Sequence, residues 1–383
     1  MKNAIAKRLP SYIRTPLGFM ISPRVRKRIY TERRIRKQQN KAIHQFDAAA
    51  KKLVVFLVAG ADMSTGKDKI SGGIISIVSL CQESAKMKDI HDAQVIMCTL
   101  RNEHLLFRHT QFENHTDVFR FDQLQAYFSA ADEVLFHIPE FICDYFLGHL
   151  TDGDRKWLAG LKDLHINILN QNIRYMPAPE VIDRLRRLAG KVTNTTAHQK
   201  YCNPHYRALF NIPVHKFSVW ISPEQYQFRQ YAEKENLIVV SPDMSTFKQE
   251  VLEQLSSIPG LKVQIIKNLT YEQYKETIAR AKWTLTFGEG LDGYLIEPIF
   301  SGAIGFAVYN EDFFTPDFKG KRTLYGSYEE LLKTIKKDIS ELDEPAAFAA
   351  YQKKQFDLCA RYYSQEEYRS NIRAFYRGQY SLP

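Results

Sequence analysis

LVVFLVAGADMSTGKDKISGGIISIVSL, residues 53 to 80, reads as a strand, a glycine-bearing loop and a helix. The run Leu53 to Ala61 is apolar on both alternating faces and has strand length, the pattern of a strand buried on both sides of a parallel sheet. Gly60 ends it, a polar loop follows, and Ser71-Gly72-Gly73 opens an apolar helix through Leu80. Working outward, strand-like runs at 93–100, 134–138 and 166–169 alternate with helical stretches, so residues 53–218 are expected to form one Rossmann-like domain. A second alternation starts after the Pro213 to Pro223 region, with strands at 237–241, 262–267, 284–287 and 303–308 separated by helices at 246–257, 271–282 and 295–300. Residues 219–345 are therefore expected to form a second such domain. The fold class is α/β, with two Rossmann-like domains facing a cleft, where ligands of open α/β sheets bind.

Length and composition agree with this division. A chain of 383 residues with 44% apolar content can build two cores. The formal charge of +10 suggests nucleic acid at first, but its distribution argues otherwise. Residues 1–52 hold 15 Lys or Arg against Glu32 and Asp47, so the rest of the chain is close to neutral and no nucleic-acid partner is expected. Leu9, Tyr12, Ile13, Leu17, Phe19, Met20 and Ile21 accompany those basic groups, a mixture suited to an anionic membrane surface and equally to a solvated basic arm. Pro10, Pro16 and Pro23 interrupt the segment, leaving Arg24 to Lys52 as its longer candidate helix. Cys81, Cys98, Cys143, Cys202 and Cys359 have neither zinc nor disulfide spacing, and no apolar run approaches the ~18 residues of a membrane span. The expectation is a cytoplasmic protein, peripheral at the inner face of the plasma membrane.

The stretch that carries chemistry is FGEGLDGYLIEPIFSGAIGFAV, residues 287 to 308. Glu289 and Glu297 stand seven residues apart, with Gly290 and Gly293 between them and Gly302 beyond. A bare pair of glutamates means little; the context of a strand end, glycines that let a backbone approach a ligand, and a helix start near Asp292 means more. One carboxylate can hold a vicinal diol by two charge-assisted hydrogen bonds.

This pattern resembles the Glu-x7-Glu motif of retaining GT-B glycosyltransferases, especially glycosyltransferase family 4. Gly302-Ala303-Ile304 stands where that family has a Gly-x-Pro-like turn, with Ile304 in place of proline. The resemblance spans roughly residues 53–310, since Ser71-Gly72-Gly73 is similar to the family's glycine loop and Val134 to Glu140 (VLFHIPE) to its histidine-bearing strand end. It implies that Glu297 binds the donor's ribose, that Glu289 contacts the donor sugar, and that His137 lines the reaction centre. The backbone of Gly72, Gly73, Gly290 and Leu291 would lie near the diphosphate. It also implies retention of configuration, no metal or other cofactor, and C-terminal helices in 346–383 that cross back to the first domain. The family's early Arg and Lys are not matched: VVSPDMSTFK offers Lys248 nearby, with Lys267 further on.

Each residue also has a plain structural reading. Glu289 can be a solvated loop carboxylate, Glu297 a helix-surface residue, His137 a satisfied core histidine, and Gly72 and Gly73 a tight turn. Asp152-Gly153-Asp154 resembles the metal-binding Asp-x-Asp of the other glycosyltransferase fold but sits where a helix cap is expected. The aromatic series Phe356, Tyr362, Tyr363, Tyr368, Phe375 and Tyr376 reads as a packed helix face. The function expected is transfer of a sugar from a nucleotide-sugar donor to a saccharide, lipid-linked acceptor in bacterial surface polysaccharide synthesis, such as O antigen or capsule. The alternatives are nucleotide-sugar epimerisation on the same frame, or a non-enzymatic nucleic-acid-binding protein that uses the basic arm.

Overall fold

The computed structural model describes residues 23–61, 72–101, 103–109, 115–267 and 269–383. Among the described residues the chain forms two sheets whose strand pairings are all parallel. The first holds β1 (Lys52–Val58), β2 (Gln94–Thr99), β3 (Val118–Arg120), β4 (Glu133–Pro139), β5 (Asp163–Asn170), β6 (Lys191–Thr196) and β7 (Val214–Lys216), in the order β3-β2-β1-β4-β5-β6-β7. The second holds β8 (Glu235–Val240), β9 (Lys262–Ile265), β10 (Ala281–Leu285), β11 (Ile304–Val308) and β12 (Leu324–Tyr325), in the order β12-β11-β10-β8-β9. This is the expected α/β frame of two Rossmann-like domains facing a cleft. The order reverses between β1 and β4 in one sheet and between β8 and β10 in the other, and such reversals open a crevice at the carboxyl ends of the strands.

Each sheet is packed on both faces. In the first, Val55, Leu57, Phe136 and Ile166 face one core, while Val54, Phe56 and Val58 face another built with the helix Gly72–Ala85. In the second, Leu237, Val239 and Ala307 face the helix Gly293–Phe300, and Ile238, Trp283 and Phe306 face the helix Tyr328–Leu342.

The two ends of the chain differ from the expectation. The first helix runs Pro23–Ala42, not to Lys52, and its end is built into the first domain. The buried Gln39 amide donates to the Val118 carbonyl (2.8 Å) and the Leu106 carbonyl (3.1 Å), Arg120 donates to Gln39 (2.6 Å), and Ile43 enters the core. The membrane-facing segment expected over 1–52 thus shares its last residues with the fold, while its apolar set Leu9 to Ile21 lies outside the described residues, as does Ser71. At the other end, residues 346–383 do not all return to the first domain. The helix Pro345–Ala360 stays on the second, burying Phe348 and Cys359 there, and Gln355 grips the backbone of Gly305 with both ends of its amide (2.9 and 2.8 Å). Only the helix Gln365–Tyr376 crosses, placing Tyr368, Ile372 and Phe375 against the first sheet.

Two charged features are structural. Asp154 of the Asp152-Gly153-Asp154 run is wholly buried, pairs with Arg101 through both oxygens (2.6 Å each) and completes a capping box with Thr151, so it belongs to a helix start and to no metal site. Lys234 is buried and donates to the carbonyls of Ala279, Ala281 and Ser301 at 2.9 to 3.0 Å, closing the ends of two helices. A lone buried ammonium costs several kcal/mol; three carbonyls compensate it, and burial still pulls its pKa down to about 7.

One face of the first sheet carries a polar chain inside the core. His165 bonds Thr193 (2.8 Å), Thr193 donates to Asn167 (2.8 Å), and the Asn167 amide reaches Thr195 (2.8 Å) and His137 (3.0 Å). Burial keeps these rings neutral, pulling His165 down to about 3 and His137 well below the usual imidazole range. Below about pH 6.5 the unfolded chain takes up protons that the folded rings refuse, so their stabilisation is present above that pH and lost as pH falls toward 3. The melting temperature should drop on acidification from pH 6.5 to 5, and less so in His165→Gln; equal drops in both proteins would exclude this cause.

Candidate functional site

The site forms where the two reversals meet. On the second domain, β10 ends at Leu285 and the chain turns through Thr286 to Asp292 into the helix Gly293–Phe300. Asp292 caps that helix, accepting from the Leu295 amide (3.1 Å) and from the Thr286 hydroxyl (2.9 Å). Gly290 has φ +99, and a Cβ there would run into the Phe314 ring, so only glycine serves. Pro298 lies inside the helix and leaves the Tyr294 carbonyl without its helical donor, a fault that usually costs ~3 kcal/mol. Here the Thr284 hydroxyl supplies the missing bond at 2.8 Å.

The expected site residues separate into two groups. Glu289, Gly290, Leu291, Glu297 and Lys248 come together around this turn. Lys248 opens the helix Lys248–Ser256, donates to the carbonyls of Ser241 (2.8 Å) and Asp243 (2.7 Å), and lies 5.5 Å from the Phe287 ring. Gly72 and Gly73 start the opposing helix of the first domain, where the Gly73 carbonyl accepts from Gln171 (2.9 Å).

His137 does not join them. It is fully buried, stacks on Phe56 at 4.4 Å and contacts Phe375, with its two ring nitrogens against Asn167 and Tyr376 (3.3 Å). Its side chain points into the core shared with the helix Gln365–Tyr376, because strand alternation gives Phe136 one core and His137 the other. The catalytic role expected for His137 is therefore corrected to that of a core histidine.

Glu297 is buried and faces hydroxyls. Tyr271 donates to it at 3.4 Å and is itself 3.2 Å from the Tyr226 hydroxyl. Burial raises its pKa to about 8, against the opposing pull of Tyr226 and Tyr271 and with a further push from Asp292. Asp292 is likewise raised, to about 7, chiefly by burial. Glu289 is half-buried and raised by burial, partly offset by Asn172 and Arg174.

Three residues that sequence reasoning left aside line the opposite wall. Glu140 follows β4 at the first domain's reversal; it is 3% exposed, one oxygen accepts from the Asn172 amide (3.0 Å) and the other is buried with no hydrogen-bond partner. The Asn172 side chain donates to Glu289 across the cleft. Arg174 pairs with Asp312 of the second domain and lies 5.4 Å from the Phe313 ring, and Tyr201 donates to the Asp312 carbonyl. Glu140 stood at the end of VLFHIPE in plain view, but the histidine drew the reading. Asn172 and Arg174 sit in a polar loop that carries no periodic signal.

No family model and no curated sequence matches the chain. Among solved structures it is similar to Anabaena HepE in complex with UDP-glucose (TM-score 0.48, 11% identity, covering 84% of this chain and 98% of that one). It is also similar to an E. coli trehalose-6-phosphate structure bound with UDP-2-fluoro glucose (0.49, 9%, 84% and 99%) and to a putative UDP-N-acetylglucosamine 2-epimerase from Listeria monocytogenes (0.47, 11%, 85% and 95%). Likenesses this distant do not reach the chemistry, which rests on the residues above.

Because the folded Glu297 binds its proton far above the unfolded value, its contribution is present below about pH 4.5 and lost as pH rises through 8. Between pH 6.5 and 8.5 the wild type should therefore lose more stability than Glu297→Gln in paired melting curves. Parallel curves would show that the carboxyl is already ionised.

Proposed function

We propose that the protein is a glycosyltransferase that takes a sugar from a nucleotide-sugar donor. The observation that carries this reading is the pair of strand-order reversals facing each other, one bearing a glycine turn, a capped helix and two carboxyls, the other a buried carboxyl. A nucleoside diphosphate would find partners here: Glu297 and the tyrosines around it for ribose hydroxyls, the amides near Gly290 and Leu291 for phosphate, and the Lys248 ammonium for the charge of the leaving group. The long Tyr271 bond to Glu297 is the one a ribose hydroxyl would replace. Arg174 is a second cation within reach of the cleft. The reaction in this reading uses no metal or resident cofactor.

The finer assignment is a saccharide acceptor carried on lipid, in assembly of a bacterial surface polysaccharide such as an O antigen or capsule. It is motivated by the basic, apolar segment before Pro23, which would bring the protein to the inner face of the plasma membrane. Removing residues 1–22 spares the anchoring of Gln39 and Ile43, so the shortened protein should melt as the full chain does and sediment less with anionic vesicles. Unchanged sedimentation would sink the membrane assignment.

The two carboxyls on opposite walls, Glu140 and Glu289, also favour a second reading, epimerisation of a nucleotide sugar, since raised carboxyls on two faces can exchange protons with one carbon. Product analysis separates the two.

The donor site is tested by melting the wild type and Glu297→Ala with UDP, GDP, dTDP and ADP. A ligand at about 100 times its Kd adds about 2.7 kcal/mol. One diphosphate should stabilise the wild type and stabilise the variant much less; no response from any of the four would remove the nucleotide-sugar reading.

A further inference from the structure

The resemblance to a retaining family assigned the reaction centre to His137, which the fold has sealed in the core. Three residues further along the same strand end, Glu140 stands at the reversal between β1 and β4, where the first domain offers its crevice. Its surroundings are those of a group held in readiness. One oxygen is fixed by the Asn172 amide, and the other is buried with no hydrogen-bond partner. A buried acceptor left without a donor is destabilising, so an unfilled oxygen here calls for a role beyond bracing the loop. Asn172 spans the gap, binding Glu140 with its backbone and Glu289 with its side chain, so a single residue separates the carboxyl of the first domain from that of the second.

We propose that Glu140 is the general base of a single-displacement glycosyl transfer, receiving the proton of the attacking acceptor hydroxyl on its unpartnered oxygen. The proposal rests on the glycosyltransferase reading and extends it to stereochemistry. As the acceptor oxygen bonds to the anomeric carbon, its proton passes to Glu140. The bond from that carbon to the phosphate oxygen breaks, and the electron pair leaves with the nucleoside diphosphate. Attack from the side opposite the leaving group inverts the anomeric configuration, in contrast to the retention that the sequence motif implied. Asn172 alone stands between Glu140 and Glu289, the carboxyl that opens the turn proposed for the diphosphate.

The electrostatics suit the role. Burial, with a contribution from Glu289, raises the Glu140 pKa to about 7 against the backbone amides of Gln171 and Asn172. The Cys143 thiol beside it is neutral, its pKa raised by the same burial. A base with that pKa takes up a proton near neutral pH and gives it back readily, which is where general catalysis is most effective.

The test uses the full chain and four probes: UDP-glucose, UDP-N-acetylglucosamine, GDP-mannose and dTDP-glucose, each supplied with a mixture of simple sugars as acceptors. Diphosphate release is measured, and the anomeric configuration of the product is read by proton NMR. Glu140→Gln keeps the Asn172 bond and the shape of the site, so it should lower kcat about 100-fold or more while donor KM and the melting shift with diphosphate stay within about twofold. Its pH profile should lose the rise near pH 7 that the wild type shows, Glu140→Asp should recover part of the rate, and the wild-type product should be inverted. A retained product, a variant with wild-type kcat, or a variant impaired only in KM would overturn the assignment. A nucleotide sugar of changed configuration as product would transfer Glu140 to epimerisation and overturn it equally. If the wild type releases no diphosphate from any probe, the glycosyltransferase reading fails first and this assignment falls with it.

Discussion

Parallel strands cannot be joined by tight turns, and this geometric constraint organises the molecule. Each strand must be followed by a crossover, and all carboxyl ends of a sheet fall along one rim. Helices cover both faces of each sheet, so the rims are the edges left open for ligands. A rim opens only where successive crossovers go to opposite faces, at β1/β4 and at β8/β10. The candidate site gathers at those two places: Glu140 follows β4, the Gly288 to Asp292 turn follows β10, and Asn172 and Arg174 lean across from the neighbouring end of β5. The fold supplies the opposition of two walls, and the side chains after β4, β5 and β10 supply the chemistry.

The frame was legible because apolar runs announce doubly buried strands. β1, β4, β8, β10 and β11 stand out in the sequence as LVVFLV, VLFHIP, LIVV, WTLTF and AIGFAV. β6 does not. Its residues Lys191 to Thr196, KVTNTT, look like loop, yet five of the six are buried. The Thr193 and Thr195 hydroxyls find their partners more than twenty residues away, at Asn167 and Ile168, and no local pattern can announce a hydrogen bond of that range. β3, β7 and β12 escaped for a simpler reason, being two or three residues long.

The candidate site was legible by halves. The Glu289 to Glu297 stretch carries its own context of glycines, cap and helix, so its residues were found together. His137 and Glu140 are three apart on one strand end, and choosing between them depends on which face each side chain takes. Alternation sends His137 toward Phe56 and Phe375, and the bend after Pro139 sends Glu140 to the rim. A histidine near a strand end is chemically suggestive, but the stacked Phe56 ring and the Asn167 amide consume its whole surface. The tyrosines around Glu297 were equally hidden, since Tyr226 and Tyr271 come from separate segments that meet only in the folded domain.

The chain passes between the two domains twice, once in the stretch after β7 and again in the four residues between the helices Pro345–Ala360 and Gln365–Tyr376. Mechanically the second passage turns a tether into a pair of straps. A single connector would let one half swivel freely about the other, whereas two side by side suppress torsion and leave bending about the line that joins them. Any separation of the Asn172–Glu289 and Arg174–Asp312 contacts would then follow that one bending coordinate. The C-terminal helix, packed on a domain to which its own sequence neighbours do not belong, thus acts as the second pin of a door hinge.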